Sequence, residues 1–301
     1  MVIRVSAGLT ILVSGLLGCL LSFSLNATEF SVIDYQQRPV TLAKPTQRIV
    51  ALAPHIVENV FSAGVGDRLV GAVDYSDYPA EALDIPRVGG ISAYSYEAII
   101  ALKPDLVLVW YSGHGSQALS ALEALGVTVY ADDPRTLTDV ARSIRDIGVL
   151  TDNLGAAEPV AKAFEQRYQA LRAQYSERAV VSVFYQVWND PLQTLNDAHI
   201  ISDGIRLCGG RNVFGDQPAI APVVSREAVL HADPDAIIAS GMGEERPEWL
   251  DEWRRFETLT SVKQQQLFFI PPDIIQRHTV RLLDGVSQLC DALERVRRNQ
   301  G

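Results

Sequence analysis

No run of lysine or arginine long enough to follow a phosphate backbone occurs in these 301 residues, and acidic side chains outnumber basic ones, 36 to 26, for a net charge of −10. That balance excludes nucleic acid as a partner. None of the five histidines, His55, His114, His199, His231 and His278, stands at a tight metal-ligand spacing from another, so no metal site is expected. They read as loop or surface residues, with His55, after Pro54, and His114, in a glycine-rich loop, able to face a cleft. A single His or Tyr axial ligand to a haem iron needs no spacing and stays open. Gly113-His114-Gly115 lacks the Lys-Ser/Thr of a phosphate cradle, and no Ser-His-Asp or Cys-His arrangement has local support, so no catalytic residue is assigned.

Long apolar runs are missing too, with one exception. After Arg4, the stretch from Leu9 to Leu25 is interrupted only by Ser, Thr, Gly and Cys, and Asn26-Ala27 precede the first acidic residue, Glu29. This is the pattern of a secretory signal peptide over residues 1–27, with cleavage after Ala27 leaving a soluble exported protein. Gly18-Cys19 offers a different fate, a lipid anchor on Cys19, and an uncleaved membrane anchor is a third. Cysteine is otherwise scarce: Cys208 and Cys290 are the two that remain. In an exported chain they form either a disulfide or two buried thiols.

What is present is a globular composition, 48% apolar and 21% charged, over a length sufficient for two domains. The chain is organised around a stretch used twice. Ser95-Tyr96-Glu97-Ala98 through Lys103-Pro104-Asp105 into the apolar run Leu106 to Val109 returns without a gap as Ser225-Arg226-Glu227-Ala228 through Asp233-Pro234-Asp235 into Ala236 to Ala239. In each copy the serine is placed to cap a short helix, the glutamate sits in its first turn, and Pro-Asp stops it before a buried strand. Helix-start electrostatics alone accounts for Glu97 and Glu227 at this point.

Around the repeats, Phe30 to Leu42 alternates as a β-hairpin packed on the first lobe, and Arg48–Pro54, Leu69–Val73, Leu106–Trp110 and Val127–Tyr130 read as strands. Helices are expected over His55–Gly64, from the glycine-rich loop Tyr111–Ser116 to Leu125, and over Leu137–Leu150. From Ala156 to Arg178 there is no glycine and only Pro159, near the start, which predicts one helix of about 30 Å. The second half repeats the scheme, with a strand from Val180, a helix near Ile200–Leu207, a late strand at Phe268–Ile270, a turn at Pro271-Pro272-Asp273 and a closing helix to Arg298. The fold class is therefore α/β: two Rossmann-like lobes with mainly parallel sheets, residues 28–150 and 179–301, joined by one long α-helix over residues 151–178.

At Tyr75-Ser76-Asp77-Tyr78-Pro79, Lys103-Pro104-Asp105 leading to Trp110, Cys208-Gly209-Gly210 with Asn212 and Phe214, Val224-Ser225-Arg226-Glu227, and Leu289-Cys290-Asp291-Ala292-Leu293, the sequence resembles the periplasmic vitamin B12-binding proteins of ABC importers. More broadly it resembles the helix-spine substrate-binding class that also serves ferric siderophores and haem. The resemblance spans about residues 46–296. It implies a monomeric, non-enzymatic carrier that holds cobalamin or a related corrinoid in the inter-lobe cleft and delivers it to an inner-membrane ABC permease with its ATPase. No cofactor is implied beyond that transported ligand. Glu97 and Glu227 match the glutamates that dock into arginine pockets of the permease, Tyr75 and Trp110 the aromatic positions that stack on the ligand, and Asp273 and Arg277 a late polar pair.

The departures concern aromatic positions. Where that family carries tryptophans before its docking glutamates, this chain has Ile91 and Ala221, and Val187 stands at a phenylalanine position; Tyr94, Tyr96 and the adjacent Trp188 are the aromatics that could compensate. Two other functions stay open: the same carrier with a ferric siderophore or haem, and an exported enzyme or ligand sensor on the same fold. A catalytic role for Glu97 and Glu227 as a pair would need them about 5–10 Å apart, which equivalent points on two lobes do not allow.

Overall fold

The computed structural model describes residues 30–241 and 245–300; the expected signal segment, residues 1–27, and Cys19 lie outside them. Among the described residues no helix is long and apolar enough to cross a membrane.

The chain opens with the antiparallel hairpin β1 (Phe30–Ile33) and β2 (Pro39–Leu42), Phe30 opposite Leu42. Between them Asp34 is wholly buried and accepts from the backbone N–H groups of Gln36 and Arg38 and from the Arg38 guanidinium. The hairpin is fastened to the first lobe by the Tyr35 N–H donating to the Ala131 carbonyl at 3.1 Å.

Two four-stranded parallel sheets follow, and they share one topology. In the first lobe β3 (Ile49–Ala51), β4 (Leu69–Ala72), β7 (Leu106–Trp110) and β8 (Val129–Asp132) lie in the order β4-β3-β7-β8. In the second, β9 (Val181–Gln186), β12 (Gly210–Asn212), β13 (Ala236–Ala239) and β14 (Leu267–Phe269) lie in the order β12-β9-β13-β14. Each sheet thus runs second, first, third, fourth. Both faces are covered, as the continuous apolar strands require. Ile49, Ala51, Leu106 and Leu108 point into one core, and the alternate residues Val50, Leu52, Val107 and Val109 into another.

The duplicated stretch occupies equivalent places. It forms α2 (Tyr96–Ala101) leading into β7, and α7 (Arg226–Ala232) leading into β13. Ser95 and Ser225 cap these helices, each hydroxyl accepting a backbone N–H, from Ala98 and Ala228, at 3.1 Å. Lys103 and Asp233, at matching positions, both take positive φ, 47° and 40°, where the chain reverses before its proline. The aspartates after those prolines do more than stop a helix. Asp105 accepts from the N–H groups of Gln47 and Arg48, and Asp235 from the N–H and hydroxyl of Ser182, so each fastens the third strand of its sheet to the start of the first.

In the first lobe α1 (Pro54–Ser62), α3 (Tyr111–Ala124) and α4 (Leu137–Leu150) complete the layers. The segment Tyr111–Ser116, expected as a loop, is helical with a break at Gly115, whose φ of 76° departs from the helix. Gly113 is needed for a different reason: a Cβ there would lie 2.2 Å from the Trp110 ring. The ribbon β5 (Gly89–Gly90) and β6 (Ala93–Tyr94) precedes α2.

The long helix α5 (Leu154–Tyr175) crosses from one lobe to the other. Arg145 of α4 pairs with Glu158 and Glu165 of α5, and Arg167, further along this helix, pairs with Asp284. In the second lobe come the ribbon β10 (Trp188–Asn189) and β11 (Leu192–Gln193), then α6 (Ile200–Leu207), the short α8 (Thr260–Lys263), α9 (Pro272–Ile275) and the closing α10 (Leu282–Gln300). The stretch expected as a turn at Pro271-Pro272-Asp273 is the start of α9. One apolar core runs without interruption from Ile144 and Ile147 of α4 through Phe164 to Ile205 of α6 and Leu289 of α10, so the lobes share their inner layer.

Cys208 and Cys290, both fully buried, form a disulfide across 82 residues, joining the end of α6 to α10. In the chain-entropy description a loop of that length is worth about 4 kcal/mol. Replacing both cysteines by alanine is expected to lower the unfolding free energy by about that amount. The check is the guanidinium midpoint, and an unchanged midpoint would mean that the cross-link does not constrain the unfolded chain.

Candidate functional site

In an open parallel sheet a crevice forms where strand order reverses, outside the carboxyl ends of the strands. Here that point falls between β3 and β7 in one lobe and between β9 and β13 in the other, and the two crevices face each other. Two adjoining compartments result. One, of about 500 Å³, is lined by His55 after β3, Tyr75 and Asp77 after β4, and Asp273 and Arg277 after β14. The other, of about 410 Å³, is lined by Asp133 and Arg135 after β8, Val187 after β9, His199 and His278. Trp110, the last residue of β7, and Gln276 line both.

Four residues singled out in the sequence meet in the larger compartment: Tyr75, Trp110, Asp273 and Arg277. Tyr75 is 80% exposed at a positive φ of 63°, its ring free to cover something flat. Arg277 is already engaged, ion-paired with Asp273 at 3.0 Å, Asp77 at 2.7 Å and Glu58 at 3.0 Å. Trp188 is elsewhere. It sits in the β10–β11 ribbon with its indole N–H on the Asp190 carbonyl and lines neither compartment, whereas its neighbour Val187 lines the smaller one. Tyr94 and Tyr96 do not fill the cleft either: they pack on each other, and Tyr94 on His114, in a separate hollow. Ile91 and Ala221, the positions of the missing tryptophans, do line the compartments.

The expectation that the histidines are loop or surface residues holds for His231, which is exposed, and fails at the cleft. His55 and His278 are 5% and 3% exposed, and His199 is half-buried. Their rings form a row, His55 to His278 at 5.0 Å and His278 to His199 at 5.7 Å between centroids. His55 and His278 also meet Trp110 edge to face, at 5.4 and 6.1 Å. Burial pushes all three imidazoles below their ordinary pKa, aided at His55 by the neighbouring His114. Behind His55 lies Asp132, 3.5 Å from its Nε2; burial raises that carboxyl to about 7. Among the described residues no group of three or more His, Cys, Asp or Glu is placed to hold a metal ion.

Beside the row the lobes are laced together. Glu58 of α1, 3% exposed, accepts from the guanidinium groups of Arg277 and Arg281, and Arg281 lies 3.7 Å over the Tyr78 ring. The Asn59 amide donates to the His278 carbonyl, and Asp203 of α6 accepts the N–H of Leu137 at the start of α4.

Glu97 and Glu227 are exposed at the starts of α2 and α7 and touch neither compartment. Their own backbone N–H groups, then the Ser95 and Ser225 hydroxyls, hold both carboxyls below the usual range, so both stay charged. Sequence reasoning missed Glu58, Gln276 and the cleft positions of His199 and His278. The one signal available was position: Pro54-His55 follows a parallel strand, β3, at its carboxyl end, where crevices form.

The family described as periplasmic binding protein matches residues 49–274. A curated relative, the vitamin B12-binding protein of Vibrio cholerae, is 37% identical over 259 residues, which is 85% of this chain and 93% of that one. Among solved structures, the crystal structure of the periplasmic vitamin B12-binding protein of Vibrio cholerae superposes with a TM-score of 0.78 at 36% identity, over 84% of this chain and 98% of that one. A periplasmic heme-binding protein from Roseiflexus, in apo form, matches with a TM-score of 0.72 at 22% identity, over 83% of this chain and 99% of that one, a likeness of fold.

Proposed function

The chain belongs to the periplasmic binding protein family, and we propose that within it the chain is a non-enzymatic carrier that captures cobalamin or a related corrinoid in the cleft and delivers it to an inner-membrane ABC permease with its ATPase. The observation that carries this reading is the larger compartment, where Tyr75 and Trp110 stand among Asp273, Asp77 and the Arg277 guanidinium. Aromatic faces suit the flat part of such a ligand, and a polar fringe suits its amides. Together the two compartments, about 500 and 410 Å³ on either side of Trp110, give room for a bulky molecule with a substituent on one side. The vacated positions Ile91 and Ala221 widen that room.

Arg277 acts here chiefly by holding the wall of the cleft, since three carboxylates already share it. Glu97 and Glu227, fixed at matching places on the two lobes, are the docking points for a two-fold permease. Export to the periplasm after removal of residues 1–27, and a monomeric state, complete the reading.

The cargo can be read directly. Protein purified from its own periplasm, without added ligand, is expected to carry the visible absorption of a corrinoid. A haem or ferric-hydroxamate spectrum instead would transfer the carrier to iron uptake, and turnover of the bound molecule would make it an enzyme.

A further inference from the structure

We propose that His55, His278 and His199 are positioning residues for the cleft: uncharged, they hold the Trp110 indole and the seam between the lobes in the arrangement that receives the ligand, and on protonation they give it up. The inference rests on the cleft being the ligand site.

The rings form a continuous apolar wedge. Trp110 is held by the edges of two imidazoles, at interplanar angles of 89° to His55 and 87° to His278. His55 belongs to the first lobe and His278 to the second, and the Asn59 amide fixes the His278 backbone across the seam at 3.0 Å. The geometry suits neutral rings better than charged ones, least ambiguously at His278 and His199. An imidazolium is a donor at both nitrogens. Among the described residues His278 Nδ1 is buried without a hydrogen-bond partner, and the buried His55 Nε2 makes no hydrogen bond, facing only the Asp132 carboxyl at 3.5 Å. At His199, Nδ1 accepts the Ile201 N–H at 3.2 Å and so caps α6; a proton on that nitrogen ends the bond.

The surrounding charges do not rescue the charged form. Arg277 and His114 oppose a charge on His55, and Arg135 opposes one on His199 and on His278. Asp133 favours a charge on His55, but its carboxylate is occupied by Ser112 and Arg135. Asp132, the closest anion to His55, has its own carboxyl raised to about 7 by burial, so it discharges over the same range in which His55 would need it. Glu58 is committed to Arg277 and Arg281.

The sign follows from linkage. A hydrated imidazole titrates near 6.5, and these rings are pushed below that by burial while the seam is closed. Protons therefore bind preferentially to the loosened cleft. The closed arrangement is fully favoured above about pH 6.5 and is progressively lost below it, by up to about tenfold per pH unit for each imidazole that takes a proton.

The test is the affinity for cyanocobalamin between pH 7.5 and 5.0, with circular dichroism confirming the fold at each pH. For the unmodified protein a loss of at least about tenfold is expected. In His278→Gln, where the neutral amide cannot charge, the slope should flatten substantially. A flat profile in the unmodified protein, or the full slope surviving in both His278→Gln and His199→Gln, overturns the proposal. A ligand-free arm separates this from the choice of ligand: the emission of Trp110, taken as the difference from Trp110→Phe, should shift over the same pH range in the unmodified protein and shift less in His278→Gln. If cyanocobalamin fails to bind at pH 7.5, the ligand reading fails and that emission alone decides: a shift supports the seam, and constant emission overturns it.

Discussion

Reversing charge at both docking points, Glu97→Lys with Glu227→Lys, is expected to abolish ligand uptake by cells that depend on this protein, while the purified variant binds ligand with unchanged affinity. Both carboxylates are exposed, and neither touches a compartment. They make no ion pair among the described residues, so what is lost inside the protein is limited to the local hydrogen bonds with their own helix starts and with Ser95 and Ser225. Each sits in the first turn of a short helix, where lysine is disfavoured by a few tenths of a kcal/mol, up to about 1, too little to unfold the lobe. What the change does reach is encounter with a complementary surface, where a like charge costs roughly several kcal/mol at each site and two related sites act together. Transport assayed with radiolabelled cobalamin, beside calorimetry on the purified variant, separates the two effects. Normal uptake by the double variant would remove the docking role.

The second large effect is expected at Trp110. Trp110→Ala deletes the one aromatic side chain that lines both compartments and leaves His55 and His278 without the ring they bracket. Loss of aromatic contact and buried area is worth about 1.5–3 kcal/mol, so affinity for cyanocobalamin should fall about ten- to hundredfold. Trp110→Phe should recover part of it. The same measurement on Trp188→Ala is the control, because Trp188 lies outside both compartments, and its affinity should stay within about twofold. An unchanged affinity for Trp110→Ala would place the ligand elsewhere.

The elements that were legible in the sequence are those governed by local rules. The two serine caps, the helix starts at Glu97 and Glu227, the parallel strands and the long helix follow from periodicity, capping and the scarcity of breakers, and they stand where those rules put them. Trp110 was singled out by the family resemblance, and it does line the cleft. What was not legible depends on which loops meet. Trp188 is one residue beyond a side chain that lines the cleft, yet the ribbon it starts turns it away. Tyr94 and Tyr96 are satisfied by each other, a pairing that spacing along the chain does not reveal. His278 follows a helix of four residues, with no periodicity to say which face is buried, and its partner His55 lies more than two hundred residues away. Glu58 reads as a polar residue on an amphipathic helix until the second lobe brings two arginines to it.

The central claim is that the cleft holds a corrinoid, and calorimetric titration of the purified, ligand-free protein with cyanocobalamin at pH 7.5 tests it most directly. One site per chain with micromolar or tighter affinity, weakened strongly by Trp110→Ala, is the predicted result. Absence of binding to cyanocobalamin, with tight binding of haem or a ferric hydroxamate in its place, would contradict it.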